Sequence, residues 1–195
     1  MIVTDISLYD GDLIHNRFAY TYFRNRTLPI GNIIAFRAPM KVEADGMIDL
    51  EDTLKNDYIY SEDAVNFCWE IPGLDPFGAV AWQRLFNTQI ANILAKYIDA
   101  PIEVDGDDLM VHKEFEQHGI VQTKGKCSVS ITYSKDNVTL GHTAINIVAG
   151  RQAPSFAYST NLTDNQSDMF MKSVVDMFYQ MNDDMFIATT KIIIK

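Results

Sequence analysis

The chain is poor in cysteine, has no excess of positive charge and lacks any long apolar run, and each absence narrows what it can be. Its two cysteines, Cys68 and Cys127, sit inside apolar stretches of a 195-residue sequence. Two thiols make no disulfide framework in a chain of this length, so both are expected to pack as small hydrophobes. Lys and Arg number 16 against 26 Asp and Glu, a formal net charge of −10. Such a surface repels phosphate, which argues against non-specific nucleic-acid binding. No run reaches about 18 consecutive apolar residues, so no membrane span is expected. Met1-Ile-Val-Thr-Asp5 shows no basic stretch leading into an apolar one. The expectation is therefore a cytoplasmic protein, in which the Asn-x-Ser/Thr triplets at Asn25, Asn137, Asn161 and Asn165 carry no consequence.

Familiar catalytic motifs are missing as well. The sequence holds no Gly-x-x-x-x-Gly-Lys-Ser/Thr, no Gly-x-Gly-x-x-Gly, no Gly-x-Ser-x-Gly and no His-Glu-x-x-His. His112 and His118 do not share a helix face at their spacing, so no metal site is expected.

What is present reads as an ordinary folded domain. An apolar fraction of 47% and a charged fraction of 22% are globular values. With no repeat, low-complexity segment or linker, residues 1–195 are expected to form one domain.

Ile2–Leu8 alternates weakly, as an edge strand would. Asp10-Gly11 signals a turn, and a helix is expected from Asp12 to about Phe23. Pro29 and Gly31 punctuate before the apolar run Asn32–Arg37, a strand that Pro39 should stop, leaving Arg37 at its exit. Asp49-Leu-Glu-Asp52 suits a solvated helix start, where acids favour the dipole. Tyr58–Tyr60 and Ala64–Ile71 read as two strands. Asp75-Pro76 combines a capping carboxylate with Pro at the first helical position. Trp82, Phe86, Ile90, Ile93, Leu94 and Tyr97 follow as one apolar stripe to about Ile98.

From Ile102 the period changes to two. Cys127–Tyr133 and Val138–Val148 read as a hairpin turning at Ser134–Asn137, and Gly141 within the second strand signals a bulge or a close approach. Thr163 and Gln166 fit a capping box. Phe170, Val174, Met177, Phe178 and Met181 then make a second amphipathic helix. Ala188–Ile194 reads as a closing strand, free to pair across a homodimer. Together these elements predict an α+β fold, with a mixed, largely antiparallel sheet and packed helices.

The chemistry concentrates around one hairpin. Asp107 and Asp108 follow Gly106, where the backbone can turn and present both acids. Lys126 opens a strand on which Ser128 and Ser130 share a face. A lysine beside an acid can hold a substrate carboxylate or phosphate, or deliver a proton. Arg37, with its planar fork, is a further candidate anion anchor. His142, beside Gly141, completes the candidate binding set of Arg37, Ser128, Ser130 and His142.

Tyr9-Asp-Gly11, Ile34–Arg37, Met47–Asp52, Gln83–Leu85, Gly106–Leu109 and Ser128–Ile131, in that order, resemble the sequence blocks of the domain of unknown function family 366. Asp107-Asp-Leu109, Gly125–Ile131 and Gly141–Val148 are more distantly similar to the biotin and lipoate protein ligase superfamily. There an Asn-Asp pair precedes a Gly-Lys-Lys hairpin, whose lysine contacts the acyl carboxylate and the adenylate phosphate. The resemblance implies a ligase-like catalytic-domain fold, with Lys126 in the lysine's position and Asp107-Asp108 in that of the Asn-Asp pair. It also implies ATP and Mg²⁺. The chain departs in carrying Asp107 for Asn, about eleven extra residues near His112–Gln122, and no glycine- and arginine-rich adenylate loop. Without such amides and arginines a triphosphate loses its electrostatic support.

The sequence thus points to a small-molecule enzyme acting on a carboxylate-bearing, nucleotide- or purine-like substrate, with Lys126, Asp107 and Asp108 as its catalytic residues and the cofactor left open. Acyl transfer with ATP and ATP-free decarboxylation of a carboxylated deazapurine compete within that reading. A binding module without turnover is the other class.

Overall fold

The computed structural model describes residues 1–15, 17–24, 31–191 and 193. Pro29, the expected punctuation before the first long strand, lies outside them, as do Asn25 and the last residues of the expected closing strand.

Four antiparallel strands form the frame. β1 (Asn32–Val42) and β2 (Ile59–Pro72) pair from Asn32↔Glu70 to Val42↔Ile59. With β8 (Ser128–Lys135) and β9 (Val138–Val148) they give the order β1-β2-β9-β8. The period of two divides their side chains between two cores. On one face Ile33, Val65, Phe67, Trp69, Ile145 and Ile147 pack against α4 (Pro76–Leu94) and α5 (Asp164–Thr190). On the other, Ile34, Phe36, Met40, Cys68, Leu140 and Ala144 are closed by Tyr9, Ile14, Phe18 and Ala19 from the N-terminal segment.

Both long helices begin where their caps predict. Asp75 accepts from the Gly78 amide at 2.6 Å, and Thr163 forms a complete capping box with Gln166. The apolar stripe of α4 carries Trp82 and Phe86 onto Trp69, with ring centroids 4.3 and 6.2 Å away. Both cysteines are buried and unpaired.

Several expectations change. Pro39 does not stop β1, which runs on to Val42 with a register shift between Ala38 and Met40. The bulge takes up a residue without an N–H, and β1 is an outer strand of its ladder, where proline is tolerated. Arg37 is therefore in mid-strand. Residues 2–8 form no strand: Ile2 and Tyr9 touch β1 only as isolated parallel bridges to Ala35 and Met40. The first helical stretch splits into α1 (Asp12–His15) and α2 (Phe18–Phe23), because Arg17 takes a left-handed conformation with φ 48. The two strands expected over 58–71 are one, β2, with an irregularity between Asp63 and Ala64.

The closing strand is a correction over Ala188–Thr190, which continue α5. A cooperative helix with a good cap extends through a β-branched tail whose apolar residues, Phe186 and Ile187 among them, stay exposed. The strand-pairing route to a dimer loses its basis there.

Smaller pieces complete the α+β fold. α3 (Leu50–Lys55) is capped by Asp49 and buries no side chain. β3 (Ile102–Asp105), β4 (Asp108–Val111) and β7 (Gly125–Lys126) form a second antiparallel ladder. The extra residues near His112–Gln122 contain a hairpin of β5 (Phe115–Gln117) and β6 (Ile120–Gln122). Among the described residues no helix is long and apolar enough to cross a membrane.

Candidate functional site

A cleft of about 320 Å³ opens on the face of the sheet that the N-terminal segment covers, of the size that small ligands occupy. Val129, Ile131 and His142 line it from the sheet and Tyr9 from the N-terminal segment, together with Gly46, Met47, Ile48, Asp49, Glu51, Asp52, Asp57 and Tyr58 from the stretch between β1 and β2. Lys126, Asp107 and Asp108 lie along its wall, as do Ser128 and Ser130.

Register explains the pair at its centre. Met110 of β4 faces Lys126 of β7, so Asp108, two residues earlier on the same face, is the diagonal neighbour of Lys126. Lys126 Nζ stands 2.8 Å from Asp108 Oδ1, with both side chains about two-thirds buried. The lysine backbone is held on both sides: its N–H donates to Phe156 O, and its carbonyl accepts from Tyr158 N–H, each at 2.8 Å. Gly125 precedes it because a Cβ there would meet the Phe115 ring at 2.5 Å. Phe115 in turn packs edge-on against Tyr158. The extra hairpin thus braces the strand that carries Lys126.

Asp107 is held differently. Its carboxylate lies 3.4 Å from Arg84 of α4, and its carbonyl accepts from Asn87 Nδ2 at 2.9 Å. Asn87 belongs to a buried polar network. Ser130 Oγ bonds Gln83 Nε2, Asn87 Nδ2 and Thr143 Oγ1, at 2.8, 3.1 and 2.9 Å, and Thr143 donates to Asn87 Oδ1. With its members satisfied, such a network rigidifies what it holds, which here is the Asp107 turn against α4. The hydroxyls expected to meet a ligand are thus engaged within the protein. Ser128 Oγ accepts from Leu109 N–H at 2.7 Å.

His142 is brought to the cleft but buried, with its ring stacked on Tyr9 at 3.7 Å between centroids. Asn66 donates its Nδ2 to the carbonyls of Ala38 and Ala64, so its Oδ1 is the atom 3.0 Å from His142 Nε2. A carbonyl oxygen only accepts, so Nε2 carries the proton and Nδ1 a lone pair. Burial pushes the imidazole down to about 3, which leaves it neutral at physiological pH. Burial also raises the Tyr9 phenol well above its ordinary value, with smaller contributions from Cys68, Asp10 and Tyr133.

Acid stability follows from the same imidazole. Below the ordinary value of 6.5 the unfolded chain takes up a proton at this position, while the folded chain does not until about pH 3. The contribution is whole above pH 6.5 and is lost progressively as pH falls towards 3. A shift of this size amounts to several kcal/mol, on the order of 1.4 for each pH unit. The unfolding midpoint is expected to drop more steeply across that window in the native protein than in His142→Gln. Parallel pH profiles of the two would contradict the buried neutral ring.

Arg37 is not part of the cleft lining. Its guanidinium grips Asp63 with two nitrogens and reaches Asp164 at the start of α5, the closest contacts being 2.6 Å. It ties strand to helix rather than facing a ligand.

Sequence reasoning missed Tyr9, Asn66, Asn87 and Asn146. The available signal was polar residues interrupting apolar periodicity, as Asn146 does between Ile145 and Ile147.

The charge on the lining is lopsided. Asp49, Glu51, Asp52, Asp57, Asp107 and Asp108 face Lys126, the one Lys or Arg among the described lining residues. Burial raises the Asp52 carboxyl, with Asp49 and Asp57 adding to the effect. Among the described residues no three such side chains gather closely enough to hold a metal ion.

The chain belongs to the family described as Domain of unknown function (DUF366), whose model matches residues 1–193. Among solved structures it is similar to a protein of unknown function from Pyrococcus horikoshi, at 21% identity and a TM-score of 0.82 over 100% of this chain and 97% of that one. A putative lipoate protein ligase from T. acidophilum, with bound lipoic acid, matches at 13% identity and a TM-score of 0.56, covering 92% and 85%. A biotin protein ligase mutant from Aquifex aeolicus, in complex with biotin, matches at 11% identity and 0.53, covering 95% and 70%. No curated protein matches. The fold is that of biotin and lipoate ligase catalytic domains.

Proposed function

We propose that this DUF366 chain is a small-molecule enzyme that binds a carboxylate-bearing, purine-like heterocycle in the cleft and removes the carboxylate as CO₂ without ATP. The observation that carries the reading is the Lys126–Asp108 pair, 2.8 Å apart, in a lining otherwise crowded with acids.

Charge favours one of the two chemistries open to this scaffold. At an effective dielectric of about 20, two like charges about 4 Å apart repel by about 4 kcal/mol. A triphosphate would set several negative charges against six carboxylates, of which, among the described residues, only Asp107 and Glu51 have a cation of their own in Arg84 and Lys55, and a single lining ammonium already paired with Asp108. The lining does not fit it. A single carboxylate can be held by Lys126 alone.

For that carboxylate the same acids favour departure. Its oxygens sit beside Asp108, and their repulsion disappears once neutral CO₂ has formed. Binding of the heterocycle elsewhere in the cleft supplies the energy that holds the charges together. Lys126 delivers a proton from Nζ to the ring carbon that bears the carboxylate. The bond from that carbon to the carboxylate then breaks and its electron pair returns to the ring. The products are the neutral heterocycle, with hydrogen in place of the carboxylate, and CO₂, and the neutral amine recovers its proton from water. Asp108 positions Nζ for the transfer, and the Arg84 and Asn87 contacts fix the adjacent Asp107. Tyr9 and the neutral His142 offer stacked, uncharged rings to a flat ligand.

Ligand binding tests the reading before turnover is measured. A carboxylated deazapurine at about 100 times its dissociation constant is expected to add about 2.7 kcal/mol of stability, read as a rise in unfolding midpoint, whereas ATP with Mg²⁺ gives none. A shift with ATP, lipoate or biotin and none with the carboxylated base would sink the reading and favour acyl activation.

A further inference from the structure

We infer that the Asn146 side chain is the specificity-determining group of the cleft, and that it reads a ring N–H or exocyclic amino group on the heterocycle. The inference deepens the reading above by naming which edge of the substrate is recognised.

Asn146 lies on β9, two positions from Ala144 and four from His142, so the three share a face of the strand. It is 4% exposed and lines the cleft. Its main chain is fully engaged: the N–H donates to Cys127 O at 2.8 Å, and the carbonyl accepts from the N–H and hydroxyl of Thr160, at 3.1 and 2.7 Å. These bonds lock the residue against the strand of Lys126. Its side-chain oxygen, by contrast, is buried with no hydrogen-bond partner. A buried carbonyl oxygen without a donor is unfavourable unless something supplies one, and the cleft is the space from which a donor can come. A carboxamide oxygen calls for an N–H, and its own NH₂ lies beside it to meet a neighbouring ring nitrogen or carbonyl. That donor–acceptor edge belongs to aminopyrimidine and lactam rings. Lipoate and other acyl chains have none.

The position of Asn146 also sets polarity. Lys126 is joined through Cys127 to the Asn146 amide, so both groups meet one ligand, Lys126 at its carboxylate and Asn146 at its ring edge. A site built to hydrogen-bond such an edge rejects analogues that lack it far more strongly than a shape-based pocket does.

Calorimetric titration separates these roles with three probes: a carboxylated deazapurine, the same base without its carboxylate, and furan carboxylate, which has neither a ring N–H nor an amino group. Asn146→Ala is expected to weaken both bases at least about tenfold and to leave furan carboxylate unchanged, and Lys126→Ala to weaken only the two carboxylates. Should Asn146→Ala fail to fold, Asn146→Asp, which keeps the acceptor, serves with a base methylated at its ring nitrogen. That probe is expected to lose affinity for native protein but to bind the Asp variant as weakly as it binds native. Unchanged affinity of both bases for Asn146→Ala means that the amide holds only water and overturns the inference. Equal weakening of all three probes assigns a structural role and also overturns it, as does failure of every base to bind native protein. Binding of the plain base through Asn146 with no binding of the carboxylated one keeps the inference and removes the decarboxylation reading.

Discussion

Lys126→Ala is expected to lower turnover of a carboxylated deazapurine by a factor of about 10² to 10⁴, the usual contribution of a positioned proton donor, while the protein stays folded. The fold should tolerate the change because what anchors this position is main chain. The bonds to Phe156 and Tyr158 do not involve the side chain, and a partly exposed ion pair contributes about 0–1 kcal/mol. Lys126→Arg discriminates further. It keeps a cation for the carboxylate, yet a guanidinium does not release its proton at neutral pH. Substrate affinity should survive in the Arg variant and the maximal rate should not. A Lys126→Ala protein with native turnover would remove the residue from the chemistry, wherever the ligand binds.

The largest effect on stability is expected at Gly141. A Cβ at this position would lie 2.0 Å from Trp69 Cζ2, a distance that no packing adjustment of the Cβ itself relieves. Trp69 cannot retreat easily, since it is fully buried and packed against Trp82 and Phe86. Overpacking of a core commonly costs about 1–3 kcal/mol and sometimes more, and a rigid indole wedged between two aromatics places Gly141→Ala at or above about 3. Trp69→Leu alone is destabilising as well, because it opens a cavity. Combined with Gly141→Ala, however, the new methyl enters the vacated space. The double variant should be more stable than the sum of the two single losses predicts, a coupling readable in denaturant midpoints. Simple additivity would contradict the close approach.

How much of this was legible in the sequence depended on whether a signal was local. Asp75-Pro76 and Thr163 with Gln166 announced both long helices, since a cap is written within a few residues of the turn it satisfies. The stripe of Trp82, Phe86 and Ile90 named the face of α4 that meets the sheet. Asp108 and Lys126 could be singled out because the acids adjoin Gly106 and the lysine opens a strand. The features that were missed depend on register. Nothing adjacent to Arg37 reveals that Asp63 lies across the ladder and Asp164 at a helix start far along the chain. The same holds for Ser130, whose alternation with Ser128 suggested a ligand-facing hydroxyl until the buried Asn87, Gln83 and Thr143 were found around it. Pro39 misled for a different reason: the rule that proline ends a strand gives way at a bulge in an outer strand. The stretch Ala188–Thr190 misled because β-branched composition favours a strand, while helix continuation is cooperative.

Two features act together to shape the cleft. The polar network under α4 fixes the turn at Asp107, and the hairpin near Phe115 fixes the strand at Lys126. A third part of the chain sets His142, which burial keeps neutral while it bonds to Asn66 and stacks on Tyr9. Ion pair, acidic lining and uncharged rings are therefore set by separate parts of the chain, so that substitutions at each should act on rate, ligand charge preference and ring recognition respectively.

The most direct measurement is release of CO₂ from a carboxylated deazapurine by the purified protein with no nucleotide present. The account predicts stoichiometric appearance of CO₂ and the decarboxylated base, unaffected by adding ATP and suppressed in Lys126→Ala. Intact substrate with the wild-type protein, or turnover that appears only once ATP is added, would contradict it.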